Sequence, residues 1–111
     1  LEGKFDGIAV RVPTLVGSLT VFTMLLKKNT TAEAINRVFI RAAKGKYKDI
    51  LEVSNESLVS SDIIGNPASA IVDPAFTRVV DGNLVKVLAW YDNEWGYSNR
   101  LVEMISEVPP G

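Results

Sequence analysis

The chain of 111 residues contains no cysteine and no histidine. Without cysteine there is no disulfide framework, no thiolate ligand for a metal and no thiol nucleophile. Without histidine it lacks the side chain that most often acts as a general base near neutral pH and most often ligates transition metals. Charge of one sign is also missing. Twelve basic and 13 acidic residues are interspersed and sum to −1, so no basic patch invites nucleic acid. No apolar run approaches the roughly 18 residues that span a bilayer, and no signal-peptide pattern opens the chain. Neither nucleic acid nor membrane is therefore an expected partner, and a cytoplasmic location is the default. The eight glycines never form a G-x-G, so no dinucleotide-binding fingerprint is present. The first residue is Leu rather than Met, which points to a piece of a longer polypeptide.

What is present suffices for one packed domain, since apolar residues make up 47% of the chain. Gly7–Val12, GIAVRV, alternates Ile8, Val10 and Val12 with Ala9 and Arg11 and predicts a half-buried strand ended by Pro13. Gly17–Lys28 predicts a second strand, apolar on both faces, hence central in a sheet or covered by something outside the chain. Thr30–Lys44 predicts a helix. Thr30 and Glu33 fit a capping box, Ile35, Val38, Phe39 and Ala42 form an apolar stripe, and Gly45 supplies the stop. A short strand is expected within Tyr47–Val53, an irregular or edge segment at Leu58–Ile64 and a turn at Gly65-Asn66-Pro67. Ala68–Val80 and Asn83–Ala89 read as strands joined by an Asp81-Gly82 hairpin, with Pro74 marking a bulge or an edge. The fold class expected is α+β, a mostly antiparallel or mixed sheet with helices on one face. Two helices leave apolar sheet surface uncovered, and that face is expected to be an oligomer interface.

The chain is organised around Trp90–Arg100, WYDNEWGYSNR. It joins an apolar strand to a helical pattern carried by Leu101, Ile105 and Val108, with Pro109-Pro110-Gly111 closing the chain. Asn93 or Asp92 is the expected N-cap, with Glu94 in the first turn, where negative charge suits the helix dipole. Polar groups at a strand's carboxyl end beside a helix start are a common place for a ligand. Asp62, Asp73, Asp92 and Glu94 are the carboxylates near apolar or junction sequence, but no spacing pairs any two of them for acid–base work or metal binding.

WYDNEWGYSNR resembles the near-terminal signature of phosphorylating glyceraldehyde-3-phosphate dehydrogenases, or of their close relatives the erythrose-4-phosphate dehydrogenases. KFDGIAVRVPT, VGSLTVFTMLLKKNTTAEAINRVFIRAA and LVSSDIIGNPASAIVD are similar to further segments of that family, so the resemblance covers nearly all of Gly3 to Val108. Ala68 and Val21 depart from the His and the Asp frequent in the family at those places.

The resemblance implies that residues 1–111 are the C-terminal part of the family's catalytic domain, with a sheet facing a neighbouring subunit and no dinucleotide-binding domain. It implies that Arg11, in RVPT, binds the phosphate of glyceraldehyde 3-phosphate, as a fixed fork of donors suits an anion. It implies that Asn93, in YDNE, contacts the nicotinamide carboxamide of NAD, amide to amide, with Tyr97 near the ring. The family's nucleophilic Cys and its His lie upstream of residues matched here, so no catalytic and no metal-binding residue is assigned, and the chain alone is expected not to turn over. Three readings stand side by side: part of an NAD-dependent oxidoreductase, a stand-alone homo-oligomerisation module derived from one, and a domain that binds phosphate sugars through Arg11 without catalysis.

Overall fold

The computed structural model describes residues 2–108; the expected Pro-Pro-Gly terminus lies outside them. In chain order come β1 (Ser18–Leu25), α1 (Ala32–Lys44), β2 (Leu51–Val53), a short 3-10 helix (Ser60–Ile63), β3 (Ala70–Val80), β4 (Leu84–Tyr91) and α2 (Trp95–Glu107). The strands form one sheet in the order β1-β4-β3-β2. β2 runs parallel to β3, and the other pairs are antiparallel. This is an α+β fold with a mixed sheet, as expected.

The hairpin between β3 and β4 sets the centre of the sheet. Asp81 and Gly82 both take positive φ, 50° and 75°, and Asn83 N–H donates to the Val80 carbonyl at 3.3 Å. These are the demands of a type I′ turn, whose twist matches that of the strands it joins. The tip is then tied down: Thr30 N–H donates to the Gly82 carbonyl at 2.7 Å, and Asn83 exchanges bonds with Leu26. Pro74 does mark a bulge. Asp73 pairs with Leu88 and Arg78 with Lys86, so β3 spends three more residues than β4 between those points. Asn36 of α1 reaches into the bulge, donating to the Pro74 carbonyl and accepting from the Thr77 hydroxyl.

Side-chain alternation divides the core in two. On one face Val72, Val85, Val87 and Ala89 are buried under Ile35 and Phe39 of α1. On the reverse face Ile63, Ala68 and Ile71 form a smaller cluster with Leu58 and Trp90, under the 3-10 segment. Much of that reverse face is open: Leu19, Val21, Leu25, Val80 and Leu84 are all exposed, with Leu25 and Val80 both pairing with Leu84.

Several expectations need correction. Gly7–Val12 forms no strand; Ile8 and Val12 are 90% and 62% exposed. Its alternation is real, but a strand exists only against a partner, and none of the described residues pairs with it. Of the two readings of β1, the central position does not hold, because among the described residues β4 alone pairs with it; the reading of a face covered by something outside the chain stays open. The cap of α1 is Thr31, whose Oγ1 accepts from Ala34 N–H at 3.2 Å, while the backbone N–H of Thr30 donates to the hairpin tip. Val38, placed on the inner stripe of α1, faces out. In α2, Leu101 and Ile105 are exposed as well, and Gly96 is the only buried residue among the described ones of that helix.

Candidate functional site at the junction of β4 and α2

The strand-to-helix junction is built around one carboxylate. Asp92 is 4% exposed. Its Oδ1 accepts from Glu94 N–H at 2.9 Å and Trp95 N–H at 2.8 Å, and its Oδ2 from Gly65 N–H at 2.8 Å. Asp92 thus does the capping expected of Asp92 or Asn93, and Glu94 stands just before the helix rather than in its first turn. Bonds from the backbone N–H groups of Trp95 and then Gly65 hold the Asp92 carboxyl below the usual carboxylate range, against the opposing effect of burial. A carboxylate whose folded pKa is depressed stabilises the fold above its unfolded pKa and loses that contribution as pH falls through the folded value. Stability from Asp92 is therefore expected to be complete above about pH 4 and to fade below it. Asp92→Asn should flatten the acid-unfolding curve in that range, followed by circular dichroism; an unchanged curve would show that the carboxylate contributes nothing.

Asn93 is freed from capping and turns to a distant segment. Its Oδ1 accepts from Gly17 N–H at 3.0 Å, across 76 residues of chain. Gly17 has φ of 97°, and a Cβ there would meet Ile63 Cδ1 at 3.2 Å and the Ser60 carbonyl at 3.3 Å, so the position suits only glycine. With its oxygen engaged, Asn93 offers the Nδ2 group as a donor.

A pocket of about 210 Å³ opens beside this amide, lined by Ser69, Tyr91, Asp92, Asn93, Gly96, Tyr97 and Arg100. Asn93 and Tyr97 are thus brought to one place, while Arg11 is not among its lining residues. Arg11 lies in the extended exposed segment before Gly17, not on a strand as expected. Arg100, which carries no expected role, joins Asn93 and Tyr97 in the pocket lining. Its Nη1 bridges the Asp49 carbonyl and the Ser69 hydroxyl, each at 3.3 Å, its Nη2 pairs with Glu103 at 2.6 Å, and its Nε is buried without a partner among the described residues. A signal existed: Gly96, Tyr97 and Arg100 share one helix face by spacing. No such signal announces Gly17. Among the described residues no group of His, Cys, Asp or Glu forms a metal site, and no helix is long and apolar enough to cross a membrane.

Fold and site define an α+β domain that gathers an amide, a phenol and a guanidinium at the carboxyl end of β4, one of two inner strands of the described sheet. The family model described as glyceraldehyde 3-phosphate dehydrogenase, C-terminal domain, matches residues 1–93. The chain is similar to glyceraldehyde-3-phosphate dehydrogenase of Mycobacterium avium, with 51% identity over 108 residues, 97% of this chain and 32% of the relative. The Streptomyces coelicolor enzyme of that name is 50% identical over 105 residues, 94% of this chain and 31% of the relative. That of Mycobacterium tuberculosis is 47% identical over 108 residues, again 97% and 32%. The chain belongs to the glyceraldehyde-3-phosphate dehydrogenase family, and it spans about a third of the length of these curated relatives.

Proposed function

We propose that this chain serves an NAD-dependent oxidation of glyceraldehyde 3-phosphate by holding substrate and coenzyme rather than by reacting with them. Arg11 binds the substrate phosphate, Asn93 contacts the nicotinamide carboxamide, and Tyr97 lies near the ring. The observation that carries this reading is the engaged Asn93 oxygen, which leaves the amide NH2 to donate beside Tyr97 into the junction pocket. A donor so placed suits a carbonyl oxygen such as that of a carboxamide. With no thiol and no imidazole in the sequence, the covalent and proton-transfer steps belong to other polypeptide, and the chain by itself is inactive.

Calorimetric titration of the chain with inorganic phosphate and with nicotinamide mononucleotide tests this. Arg11→Ala is expected to weaken the phosphate response about tenfold, and Asn93→Ala the mononucleotide response by a similar factor. NADH formation by the pure chain, abolished by Asn93→Ala, would overturn the division of labour.

The open sheet face supports a second role in homo-oligomerisation. Sedimentation at micromolar concentration is expected to show an association that Val21→Lys weakens. A monomer with no affinity for apolar dyes would remove this reading.

A further inference from the structure

We propose that Asp92 is a positioning residue for Asn93, fixing where its amide points through a closed ring of contacts. The ring runs through both neighbours of the amide. Asp92 Oδ1 accepts two N–H groups on the far side of Asn93, at residues 94 and 95, so the backbone carrying Asn93 is bent around the carboxylate. Asp92 Oδ2 holds the Gly65 N–H at 2.8 Å. Gly65, with φ of 77°, is the third residue of a turn closed by Asn66 N–H donating to the Ile63 carbonyl at 3.0 Å. Ile63, fully buried, closes against Gly17, and Gly17 N–H donates to Asn93 Oδ1.

One carboxylate therefore controls both ends of the Gly17–Asn93 bond. It sets the backbone of Asn93 directly, and it holds the 63–66 turn that backs Gly17. A helix cap alone needs only the Oδ1 bonds; the bond from Oδ2 to a turn 27 residues away has no part in starting α2. The oxygen of Asn93 is engaged only while Gly17 stays in reach. Released, the amide is free to rotate and to present either end to the pocket.

The proposal rests on the reading that Asn93 contacts nicotinamide only for its functional consequence; its structural core can be tested apart. Amide hydrogen exchange by nuclear magnetic resonance on the full chain reads the Gly17 N–H, which Asp92 does not touch. Asp92→Ser retains an oxygen that can cap α2 but is too short to reach Gly65 as well. It is expected to speed Gly17 exchange about tenfold while the amides of β3 and β4 stay protected. Asp92→Asn is the second variant, and should have the same effect on Gly17. Gly17 exchange as slow as in the parent chain in either folded variant would overturn the proposal, because a simple cap would leave that amide untouched. Titration with nicotinamide mononucleotide then separates the two readings. If Asn93→Ala binds it as well as the parent chain does, the nicotinamide reading fails while the Gly17 result still decides the role of Asp92. If Asn93→Ala loses binding, Asp92→Ser is expected to bind several-fold more weakly than the parent chain.

Discussion

Gly96→Ala is expected to destabilise the chain by about 3 kcal/mol, the upper part of the range for overpacking. A Cβ at this position stands 2.7 Å from the Ala68 carbonyl oxygen and 3.5 Å from its carbon. The obstruction is backbone, so no rotamer change relieves it. Ala68 is also held on both sides: its own N–H donates to Asn66 Oδ1 at 2.7 Å, and the next N–H, of Ser69, donates to the Ile50 carbonyl at 2.8 Å. The first turn of α2 must move outward instead, taking Tyr97 and Arg100 with it. The sign is informative, because alanine in a helix is intrinsically better than glycine by about 1 kcal/mol. Urea unfolding of the two chains measures the difference. A more stable Gly96→Ala would mean that α2 does not rest on the 65–69 segment.

Ile63→Ala is expected to cost about 3 kcal/mol, within the range for emptying a fully buried aliphatic site. Ile63 is 0% exposed and centres the smaller core with Ala68, Ile71, Leu58 and Trp90. It also fills the space against Gly17, so its loss loosens the junction as well as the core. Its neighbour supplies the control. Ile64 is 59% exposed, and truncating it should change stability by less than about 0.5 kcal/mol. Thermal unfolding of both variants distinguishes them; equal midpoints would show that the 3-10 segment does not pack as described.

The hairpin, the α1 helix and the bulge at Pro74 were legible because each is set by local chemistry. Asp81-Gly82 has the residues that positive φ requires, and Gly45 stops α1 close to where it was expected. Gly7–Val12 has the alternation of a strand without forming one, because alternation records what a segment prefers when paired, not whether a partner is within reach. The same limit applies to β1: two apolar faces suit a central strand or one covered from outside the chain, and the sheet, with β1 at an edge among the described residues, excludes only the first. Thr30 and Thr31 are chemically alike as caps, so residue type alone does not choose between them. At the junction, the motif identified Asn93 and Tyr97 as neighbours in space. It could not reveal that Gly17 holds the amide, since that contact is made by a backbone N–H, which any residue but proline carries.

The strand order has a consequence for assembly of the chain. Among the described residues β1 has a single neighbour, and that neighbour is the last of the four described strands in chain order. An emerging polypeptide can pack α1 and pair β2 with β3, but among the described residues the partner of β1 arrives only with residues 84–91. Such long-range closure is the slow kind of folding event. The same closure seats Gly17 beside Asn93, so the β4–α2 junction and the pairing of β1 become one step: a chain caught before it has neither β1 on the sheet nor the Asn93 oxygen engaged.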